Sequence, residues 1–154
     1  MAESQQPQRQ LALQKIFLKD ASLEVPKAPE VFQRAWKPAV DVNLTTSTSA
    51  LEQSGVYQVA LRVTVTCKLE DEVALLIEIE QAGLFQLAGF GEQELPVVLN
   101  THCPQALFPY AREAVSDLAQ RGGFQQLLLQ PVNFDALYRQ HLERQQGDAQ
   151  ATVQ

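Results

Sequence analysis

The residues best suited to chemistry are two cysteines, Cys67 and Cys103, and two histidines, His102 and His141. A cysteine beside a histidine could act as a nucleophile with its base, and four such side chains could bind zinc. His102 and Cys103 are neighbours, but neighbours on a helix point about 100° apart, so they form no ready pair. No short paired spacing typical of zinc sites occurs, and residues 89–91 (GFG) lack the lysine and third glycine of a phosphate loop. We therefore expect no enzyme activity, no bound metal and no cofactor.

The carboxylates are the second candidate group, because they are concentrated in one part of the chain. Residues 69–111 contain seven acidic side chains and no Lys or Arg, whereas the whole chain has a net charge of −6. Glu78 and Glu80 lie two residues apart on a predicted strand, so they project from the same face, which they share with Leu76. Such a surface favours a basic partner or a cation. The alternative interpretation is an ordinary solvated sheet face.

Length and composition limit the possible classes of protein. The chain has 154 residues with an apolar content of 45%, which is typical of one globular domain. Its acidic charge argues against nucleic-acid binding, which depends on clustered Lys and Arg. The sequence has no apolar run long enough for a transmembrane helix and no signal peptide, so we expect a cytoplasmic protein without membrane insertion. We expect residues 1–10 to be a disordered N-terminal tail, residues 11–146 the folded domain, and residues 147–154 a flexible C-terminal tail.

Four predicted strands must position these groups. Residues 56–69 alternate almost without interruption between apolar and polar side chains, which predicts a strand with one wet face. The acidic cluster at 70–72 turns the chain, and the alternating run that follows predicts the second strand of a hairpin. Residues 40–45 alternate in the same way. Residues 11–24 predict a further, less regular strand with apolar side chains on both faces.

The segment between the first two strands predicts a crossover. Residues 26–38 contain three prolines, which exclude both a strand interior and a long helix. The segment is also too long for a tight hairpin. It contains the only tryptophan, Trp36, together with Phe32. These two aromatic side chains are either parts of the core or parts of a binding site.

The second half of the chain predicts helices. Apolar residues recur at helical spacing from 95 to 120, with interruptions at Pro104 and Pro109. Asn133 is a suitable N-cap for a last helix at 134–146, which we expect Gly147 to end. The sequence therefore predicts an α+β fold, a four-stranded antiparallel sheet with a crossover between strands 1 and 2, followed by two C-terminal helices.

Several segments of the chain, in this order, resemble the bacterial protein-export chaperone family SecB. They are residues 16–29 (IFLKDASLEVPKAP), 31–38 (VFQRAWKP), 61–66 (LRVTVT), 84–89 (LFQLAG), 103–104 (CP) with 107–113 (LFPYARE), and 131–137 (PVNFDAL). The resemblance extends over about residues 11–146, nearly the whole predicted domain.

The resemblance implies an ATP-independent holdase that binds unfolded precursor proteins and passes them to the export motor, the SecA ATPase. It also implies a homotetramer, assembled as a dimer of dimers, in which clients occupy long apolar grooves. By position, the groove residues are Leu13, Phe17, Trp36, Val40, Val42, Leu44, Leu137, Tyr138 and Leu142. A wide apolar groove suits this use, because unfolded clients share exposed apolar side chains rather than a sequence code.

The resemblance also implies a partner for the acidic strand face. Members of the family dock the basic, zinc-bearing C-terminal tail of SecA there. The matching residues are Asp20, Glu24, Leu76 and Glu78. The zinc belongs to SecA, so this chain needs no metal of its own.

Two other functions remain open from the sequence. The first is a SecB-like chaperone dedicated to one partner, such as an antitoxin, although the acidic set for SecA argues against it. The second is a small-molecule binder or enzyme that uses the same groove as a ligand pocket. That reading requires catalytic polar groups, which the sequence does not show.

Overall fold

The computed structural model describes residues 8–151, so the predictions for residues 1–7 and 152–154 lie outside the described residues. Its four strands are β1 (Gln10–Glu24), β2 (Ala39–Ala50), β3 (Val56–Leu69) and β4 (Glu72–Ala88). Three α-helices follow, α1 (Glu94–Asn100), α2 (His102–Arg121) and α3 (Phe134–Ala151). The predicted α+β class with C-terminal helices is confirmed.

The strands form one antiparallel sheet in the order β1-β4-β3-β2. The hairpin of β3 and β4 is its centre, and the turn between them places Glu70 at a positive φ of 56°. β1 and β2 are the two edges, since among residues 8–151 β1 pairs only with β4 and β2 only with β3. The proline-rich connection, which contains a short 3-10 turn at Glu30–Gln33, therefore takes the chain from one edge of the sheet to the other.

The core lies between one face of the sheet and helix α2. Alternation places every second residue of β3 on this face, and Val59, Leu61, Val63 and Val65 are all fully buried there. α2 covers them with a stripe of apolar residues that includes Leu107. We call this the helix face of the sheet. The opposite face carries the polar residues of the same strands and is called the open face.

The number of helices differs from the prediction of two. Residues 94–121 form two helices rather than one interrupted segment, and the break falls at Thr101, not at Pro104 or Pro109. Thr101 is buried, and its hydroxyl donates a hydrogen bond to the Val97 carbonyl at 2.6 Å. Pro104 lies in the first turn of α2, where its missing N–H costs nothing, and Pro109 is accommodated inside the helix.

The start of α3 agrees with the prediction, whereas its end does not. The Ala136 N–H donates a hydrogen bond to the Asn133 side-chain oxygen at 3.0 Å, which confirms Asn133 as the N-cap. The helix continues through Gly147 to Ala151. A glycine inside a helix costs only about 1 kcal/mol relative to alanine, so it does not have to end one. Among the described helices, none is both long and apolar enough to cross a membrane.

Candidate functional site

An apolar groove lies between the edge strand β2 and the segment that joins α2 to α3. Its volume is about 710 Å³. The groove is lined by Val40, Val42 and Leu44 of β2, Phe108 of α2, residues 127–133 of the connecting segment, and Ala136, Leu137 and Gln140 of α3. We call it the β2 groove.

A more polar cleft of about 460 Å³ adjoins the β2 groove and shares four of its lining residues. Its own residues include Tyr138, His141 and Arg144 of α3, Asn100, and Asn43, Thr45 and Thr46 of β2. The combined surface is therefore apolar at one end and rich in hydrogen-bonding groups at the other. It can bind the apolar side chains of an extended peptide at one end and form hydrogen bonds with polar groups of the same peptide at the other.

The alternation of β2 explains why the groove is apolar and open. Val40, Val42 and Leu44 pair with β3 residues that face α2, so they also lie on the helix face. The helices do not reach over this edge strand completely, and Val40 and Val42 remain 49% and 41% exposed. Large apolar side chains left open in one place mark a surface that binds something.

The base of the groove is formed against buried apolar side chains. Phe108 and Phe134 are buried with their rings edge to face at 5.8 Å between centroids, a favourable aromatic geometry. Leu129 is buried beside them, whereas the preceding Leu128 is 61% exposed. The groove thus combines a buried base with a rim whose exposed apolar side chains are available to a partner.

The structure brings together five of the nine groove residues predicted from the resemblance. Those five are Val40, Val42, Leu44, Leu137 and Tyr138. Leu142 lies one turn beyond Tyr138 on α3 and is exposed, outside both sets of lining residues.

The two predicted groove residues on β1 lie at the other edge of the sheet. Leu13 pairs with Phe85 and therefore lies on the helix face, where it is 46% exposed. Phe17 pairs with Ala82, so it lies on the open face. Within one chain, neither residue shares the surface formed by β2 and α3.

Trp36 belongs to an aromatic cluster rather than to the lining of the β2 groove. The Trp36 ring packs against the Phe124 ring with 4.6 Å between centroids, and the Phe32 ring lies 5.3 Å from the Phe124 ring, also between centroids. Gly123 adopts a φ of +90°, and a Cβ there would lie 3.0 Å from the Phe32 ring. The cluster joins the proline-rich connection to the turn that follows α2. Phe124 lies three residues before Leu127, where the groove segment begins.

Sequence reasoning missed the contribution of the connecting segment. Leu127, Leu128 and Leu129 form one side of the groove, but they belong to none of the elements or sites predicted above. Three consecutive leucines outside any periodic element were the available signal. A chain in extended conformation exposes some members of such a run, so it could have indicated a partly open surface.

The four residues predicted to contact SecA lie together on the open face. Glu24 pairs with Leu76 across the strands β1 and β4, Ser22 pairs with Glu78, and Asp20 pairs with Glu80. Directly opposed residues on neighbouring strands have Cβ atoms about 5 Å apart, so these side chains form one continuous patch. We call it the acidic patch, defined by Asp20, Glu24, Leu76, Glu78 and Glu80.

Contacts from β3 fix the central carboxylates of the patch. Thr64 donates a hydrogen bond from its hydroxyl to Glu78 Oε1 at 3.1 Å. Arg62 Nη2 lies 3.5 Å from Glu80 Oε2. Glu78 therefore has a neutral hydrogen-bond partner, whereas Glu80 has a cationic neighbour.

The cysteines do not form a reactive centre. Both are free and buried, and burial raises the pKa of Cys103 to about 12 and also raises the pKa of Cys67. A thiol with so high a pKa is protonated at neutral pH and is a poor nucleophile. His102 is exposed on the surface of α2. In the described part of the chain, no three His, Cys, Asp or Glu side chains are grouped to hold a metal ion.

The fold and these surfaces define an α+β protein with an open apolar groove and an acidic sheet face. The family model for the preprotein translocase subunit SecB matches residues 4–145. The protein-export protein SecB of Methylococcus capsulatus is 52% identical over 148 residues, which cover 96% of this chain and 95% of that protein. The SecB protein of Hydrogenovibrio crunogenus is 50% identical over 145 residues, covering 94% and 96%. The chain belongs to the SecB family, and the resemblance inferred from its motifs is confirmed.

A solved structure supports the fold assignment. The SecB-like chaperone Rv1957 of Mycobacterium tuberculosis, in complex with a ChAD peptide from the HigA1 antitoxin, superposes with a TM-score of 0.64 at 24% sequence identity. The match covers 79% of this chain and 87% of that one. At this level of identity the likeness concerns the arrangement of the sheet and helices.

Proposed function

We propose that the protein is an ATP-independent export chaperone, which binds unfolded precursor proteins in the β2 groove and delivers them to SecA. The observation that carries this proposal is the groove itself, whose rim leaves Val40, Val42 and Leu128 between 41% and 61% exposed. Family membership supports it, since the similar proteins of two other bacteria are named protein-export proteins. The bound species is an extended polypeptide, and no step of the reaction requires a nucleotide.

Clients are recognised by the apolar side chains that folding would later bury. Removing apolar surface from water contributes about 25 cal/mol per Å², without any requirement for direction or sequence. A groove made of valine and leucine side chains therefore binds many precursors moderately well. It releases them when a folded state or the export motor offers a better environment for the same side chains.

We further propose that the working form is a homotetramer, a dimer of dimers. β1 is an edge strand whose outer side pairs with no other strand in the described part of the chain. Its helix-face residues Leu11, Leu13 and Leu18 are 45%, 46% and 48% exposed. An unpaired edge with exposed leucines is a liability that a second copy of the chain would remove. Several grooves on one particle would also increase avidity for a long client.

Under this proposal the acidic patch is the docking site for SecA. Asp20, Glu24 and Glu78 present negative charge around the apolar side chain of Leu76, which suits a basic tail that also carries an apolar contact. Replacement of Glu78 by lysine reverses the charge at the centre of the patch. It should weaken the affinity for the SecA tail and leave client binding unchanged, because the β2 groove lies on the other face of the sheet.

We propose that the protein acts in the cytoplasm and without enzymatic activity of its own. The first test is the particle mass by light scattering, with and without an unfolded secretory precursor, in a buffer free of ATP. The expected result is a species near four times 17.1 kDa that gains the mass of the client. A monomer or dimer that ignores the precursor would contradict the proposal, and a SecB-like chaperone with one dedicated partner would then be the better candidate.

A further inference from the structure

A cation, Arg62, borders the acidic patch on its β3 side. Asp20 of β1 pairs with Glu80 of β4, and Glu80 pairs in turn with Arg62 of β3, so the three lie in one row across the open face. Arg62 Nη2 is 3.5 Å from Glu80 Oε2, and the side chains are 52% and 20% exposed, respectively. The carboxylate of Glu80 is therefore the sheltered member of the pair and the guanidinium the accessible one.

The next row of the open face has a different composition. There Ser22, Glu78 and Thr64 lie opposite one another, and within residues 8–151 the side-chain partner of Glu78 is the Thr64 hydroxyl. A hydroxyl orients the carboxylate without cancelling its charge. Glu78 and Glu80, two residues apart on β4, thus differ in their partners: Glu78 has a neutral hydroxyl and Glu80 a guanidinium.

We infer that Arg62 is a specificity-determining residue for the basic partner of this face. Its guanidinium compensates the negative charge of Glu80. A basic segment is therefore attracted by the uncompensated carboxylates of Asp20, Glu24 and Glu78 and repelled from the β3 side of the patch. This inference rests on the proposed docking of the SecA tail. Arg62 places that tail over β1 and β4. It also limits the affinity for the tail, which favours release of the tail after the client has been transferred.

The effect of one charge can be given as a change in affinity. Arg62 lies one strand spacing, about 5 Å, from Glu80 and two residues along β3, about 7 Å, from the row of Glu78. A unit charge about 5–10 Å from a bound cation at a wet surface changes affinity about two- to fivefold at low salt. Substitution of Arg62 by glutamine should therefore tighten binding of the basic segment by about that factor, and added salt should remove the gain.

The experiment is a titration of the full-length protein with a zinc-loaded synthetic peptide of the SecA C-terminal tail, at low and at high salt. Arg62→Gln should bind the peptide more tightly than the wild type, and Glu80→Gln should bind it more weakly because it frees the guanidinium. The double variant should return close to the wild-type value. Arg121→Gln is the matched control, since Arg121 pairs with Asp117 at 2.9 Å on α2 and its loss changes the net charge equally.

The outcomes separate the role of Arg62 from the docking proposal. If Arg62→Gln binds no more tightly than the wild type, or if Arg121→Gln tightens binding equally, the role of Arg62 is wrong. A wild-type protein that does not bind the peptide, with Glu78→Lys equally silent, would overturn both proposals. If Glu78→Lys abolishes binding while Arg62→Gln is neutral, only the role of Arg62 fails. Thermal unfolding and client affinity should be the same in wild type and Arg62→Gln, because a purely structural effect would move them.

Discussion

Leu128 offers the most direct test of the β2 groove, because it lines the groove and is 61% exposed in the isolated chain. Complete burial of a leucine side chain contributes about 1.5–3 kcal/mol. If a bound client covers the exposed six-tenths, Leu128 should contribute about 1–2 kcal/mol to binding. Replacement by serine should therefore weaken client affinity by about 5- to 30-fold.

The same substitution should barely affect folding. An exposed side chain that makes few contacts usually changes the free energy of unfolding by less than about 1 kcal/mol when it is shortened. Leu51→Ser is the matched control, because Leu51 is 42% exposed and lies outside the groove, in the turn between β2 and β3. The control variant should bind clients like the wild type.

The assay should use a short, permanently unfolded peptide from a secretory precursor, followed by fluorescence anisotropy. A short peptide occupies one groove, so the measured affinity is not masked by avidity across the assembly. Urea unfolding of both variants shows whether the fold is intact. Equal affinities for Leu128→Ser and Leu51→Ser, with both proteins folded, would refute the assignment of the groove.

Three further substitutions or conditions test separate parts of the structure. Tyr138→Ala removes a lining residue of the polar cleft and should weaken client affinity in calorimetry, whereas equal affinity would reject its place in the binding surface. Burial raises the pKa of Cys103 from 9.0 to about 12, so the thiol loses its proton at lower pH in the unfolded chain than in the folded one. The free energy of unfolding should therefore fall as pH rises from about 9 towards 12. Urea titrations of Cys103→Ala should show a smaller fall. Gly123→Ala should destabilise the protein by about 1–2 kcal/mol or more, since φ is +90° and the new Cβ would lie 3.0 Å from the Phe32 ring. Gly147→Ala lies in an open helical position and should be neutral or stabilising by up to about 1 kcal/mol. Similar urea midpoints for the two variants would contradict this account.

The sheet could be predicted from the sequence because its strands carry a clear period. Residues 56–69 were predicted as a strand with the bounds that β3 has, since one face is fully buried and the other is polar. The strand β1 was predicted within one residue of its start at Gln10. Its mixed pattern reflects bulges near residues 13–15 and 18–20, which shift apolar side chains between faces.

The helix break and half of the groove could not be predicted by the same means. The break at Thr101 depends on how α1 and α2 pack, whereas the prolines that looked like breaks are tolerated inside α2. The valines of β2 and the residues of α3 were identified because they match a known family pattern. Leu127 to Leu129 were not, because a leucine that is buried and a leucine that lines an open groove look the same in a sequence.

The predicted contact residues for SecA and for clients stay predictions, and the structure places the two sets differently. The four acidic-patch residues taken from the resemblance are neighbours in the sheet, so one experiment on Glu78 tests them as a group. Leu13 and Phe17 lie on opposite faces of the edge strand β1, away from the β2 groove of the same chain. A role for either in client binding therefore requires a surface formed in the proposed tetramer.

The aromatic contact of Trp36 with Phe124 gives this protein a built-in optical probe. Trp36 is the only tryptophan in the chain, so intrinsic emission excited at the red edge of protein absorption comes from this one place. The ring is 4.6 Å from Phe124, which precedes Leu127 to Leu129 by only a few residues. A client that displaces the groove segment would alter the surroundings of the indole and shift its spectrum. Binding kinetics could then be recorded in stopped flow with unlabelled protein and unlabelled, tryptophan-free peptides.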